Sequence, residues 1–373
     1  MKLTTSESLK DITAGQWNTL AGDSNPFVQH DFLLALETGD CLRPYGWYPL
    51  YLLAWSDDDQ LIGAAPAYIK TNSYGEFVFD WAWAEAYQRA GLDYYPKLVI
   101  AIPFTPATGP RLLTAGNEAV AQALINYAID TAKQMGLTSV HWLFPAAEEQ
   151  ALIQQSNLLQ RFDFQFHWQN HQYKNFDDFL SRLSSKKRKN IKRERRIVQQ
   201  SNIEIKTLNG EELTGEQWQQ LYNFYKITFM KKHGTATLTL SFFKAIAHKL
   251  LAIIAHQDNR MVAAAICIKG KHTLYGRHWG CYEDYDSLHF EVCYYAGIEY
   301  CIANQLAFFE PGAQGEHKIA RGFLPVKTWS SHWVAHEGFR GIIGDHLQKE
   351  ALMMQRYGEE LMESSPYKSA GGD

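Results

Sequence analysis

Between Phe308 and Phe323 the chain places Gln314, Glu316, His317, Lys318 and Arg321 on a loop punctuated by Gly312, Gly315 and Gly322. An amide, an acid, an imidazole, an amine and a guanidinium set this close, directly after the apolar run Gln305 to Phe309, can converge on a ligand where a core segment could not. The plainer alternative is a solvated loop. A second chemical signal lies at Ser184 to Arg196, where eight Lys or Arg fall between positions 186 and 196 against one Glu. Ser184 or Ser185 can cap the helix they begin. Cations in a first helical turn oppose the macrodipole at roughly 0.3 kcal/mol each unless an anion offsets them. The run therefore points to a phosphate-bearing ligand, with Arg188, Asn190 and Arg193 among the residues to hold it. A merely wet basic face and a nuclear-localisation signal are the alternative readings of such a run.

The elements that must position these groups recur along the chain. Two apolar runs flank an acidic turn at Tyr48 to Trp55 and Leu61 to Lys70, and the design repeats at Leu250 to Ala255 and Met261 to Lys269. Both read as β-hairpins. A short helix precedes each, at Val28 to Leu36 and Leu240 to Ile246, and a third strand follows each, at Phe77 to Asp80 and Leu274 to Arg277. A helical stretch then leads to a fourth strand, at Leu98 to Ile102 and Gln305 to Phe309. The order predicts an internal duplication, with a mixed α/β sheet in each half. On this reading Thr105 to Arg111 is the first-half counterpart of the Pro311 to Phe323 loop, and it lacks the charged residues. Asn117 to Met135 reads as an amphipathic helix ended by Gly136, leading into a strand at Thr138 to Phe144. A C-terminal helix is expected at about 345–362 with Asp345 as its cap, and Ser364 to Asp373 as a frayed tail.

With 373 residues, 46% of them hydrophobic, the chain suits two domains. The division is placed at 1–160 and 161–373, with the basic helical segment at about 177–200. A net charge of -4 excludes the whole molecule as a polycation, so an anionic partner must meet a local patch. Five cysteines with no CxxC spacing argue against a disulfide framework and for a reducing cytoplasm. No signal-peptide core or run of about 18 apolar residues is present, so any membrane contact is expected to be peripheral. The aromatics Trp81, Trp83, Tyr87, Tyr94 and Tyr95 read as core or as a groove for a sugar or lipid-linked substrate, with Lys70, Lys97 and Arg111 beside them to meet an acidic acceptor. His332 and His336 have the i, i+4 spacing of a metal pair, but no third ligand stands at a convincing spacing, and no metal is expected.

From about residue 20 to 340 the chain resembles the FemAB-like predicted bacterial N-acyltransferases, a group with two tandem GNAT-type domains and links to peptidoglycan biosynthesis. The resemblance rests on Asn25-Pro26-Phe27, Gly46 to Pro49, Pro66 to Lys70, Ser73 to Asp80, Tyr94 to Leu98, Pro103 to Pro106, Lys187 to Ile191, and Gly312 to Phe323 with Thr328, Ser330 and His332. It is weaker toward the Fem aminoacyl transferases, which move amino acids from aminoacyl-tRNA to cell-wall precursors. It implies acyl or aminoacyl transfer to an amine of a cell-envelope precursor by direct attack on an activated donor. Lys318 is then the electrophilic or oxyanion-stabilising residue, and Arg321 a phosphate or carboxylate clamp. His317 or Glu316 takes the amine proton, with Asp80 an alternative. Gln314 and Arg277 complete the expected substrate-binding set.

One departure bears on the donor. GNAT enzymes that use acetyl-CoA carry a glycine-containing pyrophosphate turn before the helix that follows the hairpin-linked strand. Here the equivalent stretches are Trp81 to Ala90 and the acidic Tyr282 to Val292, without those glycines. No tightly bound cofactor is expected, and the donor, aminoacyl-tRNA or acyl-CoA, acts as a co-substrate. The competing expectations are a catalytically inactive tandem-GNAT protein that binds an anionic glycan or nucleic acid, and an acetyl-CoA-dependent N-acetyltransferase.

Overall fold

A computed structural model describes residues 1–313 and 315–368. The first stretch of chain runs β1 (Lys2–Ser6), α1 (Ala14–Ala21), α2 (His30–Thr38), β2 (Trp47–Pro49), β3 (Tyr51–Trp55), β4 (Leu61–Ala65), β5 (Ala67–Lys70), α3 (Trp81–Arg89), β6 (Lys97–Ile100), α4 (Glu118–Gln134), β7 (Ser139–Leu143) and α5 (Ala147–Gln154). It continues with β8 (Leu159–Gln169), α6 (Phe176–Ser181), α7 (Ser185–Gln200), β9 (Ile203–Asn209), α8 (Gly215–Lys231), α9 (Leu240–Ala245), β10 (Leu250–Gln257), β11 (Arg260–Lys269) and β12 (Thr273–Cys281). The last stretch is α10 (Leu288–Phe290), a π turn (Glu291–Tyr295), α11 (Ala296–Ala303), β13 (Phe308–Glu310), a 3-10 turn (Glu316–Arg321), β14 (Leu324–Val334) and α12 (Glu337–Glu363).

Two compact units result, and neither is one contiguous piece. Unit 1 comprises Met1–Asp163 with Lys327–Arg356, and unit 2 comprises Phe164–Val326 with Tyr357–Asp373. In unit 1, β2, β5, β6, β7 and β14 follow one another across a sheet in which only β6 and β7 are parallel. A separate antiparallel sheet holds β1, β3 and β4. In unit 2 the order is β9, β10, β11, β12, β13, β8, and only β12 and β13 are parallel. Parallel neighbours need a crossover. It is α4 in unit 1, and the run from α10 to α11 in unit 2.

Local sequence explains the principal supports. Asn117 accepts a hydrogen bond from the Val120 N–H at the start of α4, and Gly136, at φ +66°, stands just past its end. Val120, Leu124, Ile125 and Ala128 of that helix pack on Leu98, Ile100, Val140 and Trp142. In unit 2, Ile253, Ala265, Cys267 and Leu274 face Val292, Ile298 and Cys301. Ile191 and Val198, seven residues apart, are the buried side chains of α7 and anchor that basic helix.

Several expectations are corrected here. The first hairpin is interrupted at Leu50 and Pro66, so its halves enter different sheets; proline brings no N–H to a continuous ladder. Phe77 to Asp80 is a loop, because Phe79 lies in solvent while Asp80 is buried against a lysine. The topological match to β12 is therefore β6, and the match to β13 is β7. Residues after β7, and not Thr105 to Arg111, are the counterpart of the Pro311 to Phe323 loop. The last helix begins at Glu337, so Asp345 lies inside it. Ser184 takes the N-cap position of α7 without a side-chain cap bond. Of the expected tail, Ser369 to Asp373 lie outside the described residues.

Candidate active site

Unit 2 carries its chemistry where two parallel strands part. β12 and β13 pair up to Tyr275 and Glu310, after which β13 meets Pro311, which has no N–H to continue the ladder. β12 runs on to Cys281 without a β13 partner. Gly276 permits the crossing, since a Cβ there would lie 3.2 Å from the Pro311 Cα. The next residue is the extra one of a β-bulge: Ile266 pairs with His278 and Cys267 with Gly276, which leaves Arg277 unopposed in β11. Bulges re-aim side chains beside functional sites. Arg277 electrostatically counters Glu310, the last residue of β13. A parting at the carboxyl ends of parallel strands is where α/β sheets bind ligands.

The charged loop follows this opening as the Glu316–Arg321 turn. Gly315 sits at φ +117°, and a Cβ there would come within 2.5 Å of the His317 ring, so glycine is required. Lys318 is buried, with Nζ donating to the Gly312 carbonyl at 2.6 Å. Burial lowers its pKa to about 8, an effect partly opposed by Cys293 on the π turn. His317 is exposed, with Nε2 2.8 Å from the Tyr294 hydroxyl. Loss of part of the ring's contact with water, then Arg321 and Lys318, hold its pKa below the usual imidazole range. Burial pushes the Glu310 carboxyl up to about 8 against the pull of Arg277. His167 Nε2 stands 3.8 Å from Glu310 Oε2 and has no hydrogen-bond partner, and burial brings its pKa down to about 4. His289 behaves likewise, lowered to about 4. At neutral pH the opening thus offers neutral imidazoles beside cationic Lys318 and Arg277.

Arg321 and Glu316 are committed to other contacts. Arg321 donates to Glu194 Oε1 at 2.7 Å and to the His317 carbonyl at 2.8 Å, and its guanidinium stacks 3.4 Å from the Phe290 ring centre. The expected clamp is therefore a fork that holds the turn to α7, where Glu194 also accepts from the Tyr295 hydroxyl. Glu316 accepts from the Tyr357 hydroxyl at 2.6 Å. Gln314 lies outside the described residues. On α7, Arg195 binds Glu291 and Glu299, and Lys192 meets Asp177 at 3.3 Å. Lys186, Lys187, Arg188, Lys189, Arg193 and Arg196 carry no ion pair among the described residues. The Arg188 guanidinium donates to Ser185 Oγ at 3.4 Å, while Asn190 and Arg193 are exposed.

Unit 1 uses its expected site residues internally. Lys97 is buried and binds Glu76 Oε2 at 2.8 Å, Asp80 Oδ2 at 2.5 Å and Ser73 Oγ at 2.9 Å. Burial alone would lower its pKa, but the two carboxylates outweigh it and hold the ammonium charged. Tyr94 donates to Asp80 at 2.6 Å, and Tyr95 shares a 2.8 Å bond with Ser73. Asp80 is thus the counter-ion of a buried lysine, contrary to the expectation of a proton acceptor for the substrate. Lys70, the cross-strand neighbour of Lys97, is buried and donates to the Tyr45 and Tyr74 carbonyls and to Asn72. Arg111 is buried too, and donates to the carbonyls of Ala107, Pro110 and Leu143. A buried cation must be satisfied from within, so none of the three is presented to an acidic acceptor. His332 pairs with His141 across β7 and β14, ring nitrogen to ring nitrogen, and each second nitrogen meets a serine.

The sequence profile of the FemAB-like family, described as peptidoglycan biosynthesis/recognition, matches residues 8–369. The chain belongs to the FemAB-like family. Among curated proteins none matches it significantly. The FemX crystal structure is similar at 9% identity and TM-score 0.56, covering 92% of this chain and 100% of FemX. L-PGS from Bacillus licheniformis is similar at 11% identity and TM-score 0.50, covering 88% and 98%. A tandem GNAT protein from the clavulanic acid biosynthesis pathway aligns at 11% identity and TM-score 0.46, covering 90% and 98%. The fold of this FemAB-like chain, with a mixed α/β sheet in each unit, is similar to those of FemX and L-PGS, and its family is one of peptidoglycan biosynthesis or recognition. Among the described residues no helix is long and apolar enough to cross a membrane, and no group of three or more His, Cys, Asp or Glu could hold a metal.

Sequence reasoning passed over Glu310, His167, His289 and Tyr294 in the FemAB-like site, and Glu76 in unit 1. Glu310 had a signal, an acid closing an apolar strand before a proline. The others had none, because they come from separate elements.

Proposed function

We propose that the protein transfers an acyl or aminoacyl group to an amine of a peptidoglycan precursor, at the parting of β12 and β13. The observation that carries this reading is a buried Lys318 with its pKa lowered to about 8, beside a neutral, Tyr294-bound His317. The amine nitrogen attacks the donor carbonyl, forming the new C–N bond and an oxyanion, to which the Lys318 ammonium donates. His317 accepts the amine proton, and collapse of the intermediate breaks the carbonyl bond to the leaving oxygen or sulfur, which takes up a proton. The donor is a co-substrate, and no resident cofactor takes part. Aminoacyl-tRNA is favoured over acyl-CoA because Tyr282 to Ser287, ahead of α10, is acidic and carries no glycine, while α7 leaves six cations without ion pairs among the described residues.

The test offers purified protein a labelled aminoacyl-tRNA or labelled acetyl-CoA together with a peptidoglycan precursor bearing a free amine, and follows the precursor by mass spectrometry. The expected result is a mass gain on the amine from aminoacyl-tRNA, lost in Lys318→Met. A gain from acetyl-CoA assigns the acetyltransferase alternative. Tight precursor binding with neither donor consumed assigns a recognition protein instead, a reading that the family description also accommodates.

A further inference from the structure

Residues 71–82 of unit 1 reverse the usual surface pattern. The segment's two carboxylates, Glu76 and Asp80, are buried against Lys97, while Tyr74, Phe77, Phe79 and Trp81 are exposed at 67%, 42%, 52% and 43%. Loops ordinarily keep charges in water and tuck rings away. Among the segment's own exposed side chains four are rings and none is ionised.

That face is held in place before anything binds. Lys70 Nζ takes the Tyr74 carbonyl at 3.1 Å, and Arg161, itself fixed by two bonds to Glu350, takes the Phe79 carbonyl at 2.7 Å. Lys97 binds Ser73, Glu76 and Asp80 from beneath. Tyr74 and Trp81 meet edge to face with ring centres 5.1 Å apart. Phe77 sits at φ +60°, a strained conformation for a bulky residue that persists where its surroundings impose it.

The chemistry of the face selects its occupant. A sugar platform pairs a ring with convergent polar groups for the hydroxyls. In this segment Glu76 and Asp80 face inward, the Asn72 amide is engaged with Lys70 and Tyr45, and the Tyr74 and Phe79 carbonyls are taken. What remains is apolar ring surface with a tyrosine hydroxyl and an indole N–H at its margin, the composition of residues that settle at the headgroup level of a bilayer. We propose that the Tyr74 to Trp81 loop is a membrane-docking element that inserts its rings into the interfacial region of a lipid bilayer. The contact is peripheral and owes nothing to lipid charge, and it does not depend on the acyl-transfer reading.

Full-length protein is sedimented with uncharged phosphatidylcholine vesicles, then with vesicles containing phosphatidylglycerol, at low and high salt. Binding to the uncharged vesicles that persists at high salt is expected, and the Phe77→Ser/Phe79→Ser/Trp81→Ser variant binds at least about tenfold more weakly. As a second measurement, brominated phosphatidylcholine quenches part of the wild-type tryptophan fluorescence, and Trp81→Phe removes that part while binding persists. The proposal is overturned if uncharged vesicles do not bind, or if binding needs anionic lipid and vanishes in salt, which would indicate α7. It is also overturned if the triple variant binds like wild type, or if the loop variants lose retention on N-acetylglucosamine oligomers while vesicle binding is unchanged.

Discussion

Lys318 concentrates the chemistry at the scale of a single residue. An ammonium removed from water loses solvation that one carbonyl contact does not restore, which lowers its pKa to about 8 from 10.5. Lys318→Met is expected to lower kcat by about 100-fold or more while precursor binding is largely kept, because an oxyanion contact acts chiefly in the transition state. The wild-type rate should fall as pH rises through about 8, where the ammonium deprotonates. Stability reports the same shift with opposite sign. Between about 8 and 10.5 the unfolded chain holds the proton that the folded chain has released, so stability rises with pH. Thermal scans across that range should show wild type gaining on Lys318→Met, and parallel curves would mean that Lys318 is not buried as described. Glu76 and Asp80 show the limit of residue-level reading: acids on a loop look like surface or catalysis until the lysine between them is seen.

At the scale of elements the site depends on how β12 and β13 separate. Gly276→Ala would press a methyl on the Pro311 Cα at 3.2 Å and shift the loop that carries His317 and Lys318. A kcat loss of about tenfold or more is expected with little change in the urea midpoint, since the strands before this point keep their pairing. Helix α7 makes a different demand. Its Arg195 lies between Glu291 and Glu299, and Glu291 is buried. Arg195→Ala leaves that carboxylate without its partner, at a cost of about 2 to 4 kcal/mol in urea unfolding. The repeated order of strands was legible in the apolar runs. The match between halves was not, because a strand interrupted at Pro66 and an inverted loop at Phe77 to Asp80 shifted the count by one.

At the scale of the molecule, each compact unit is assembled from separated stretches of chain. Unit 1 needs Lys327–Arg356 to place β14 against β7, with His332 opposite His141 and Ser330 opposite Leu143. A fragment ending at residue 163 therefore exposes the edge of β7 and lacks β14 and α12 altogether. It should show no cooperative thermal transition and should aggregate, whereas full-length protein unfolds cooperatively. A fragment that melts cooperatively would show that β14 is dispensable to unit 1.

The sequence by itself determined the mixed α/β class, most helices and strands and the family resemblance. Each is written locally, in apolar periodicity, caps, glycines and charge runs. The tertiary structure alone decided which charged residues look outward. Arg111, Lys70, Lys97 and Asp80 are drawn inside because a buried cation finds its carbonyls or carboxylates on other segments, and Arg321 turns to Glu194, 127 residues away. It also set His167 and His289 within the field of Lys318, Tyr294 on His317, and Glu310 beside His167. Those groups lie on separate strands and helices, and a sequence records spacing along one element without recording which elements pack together.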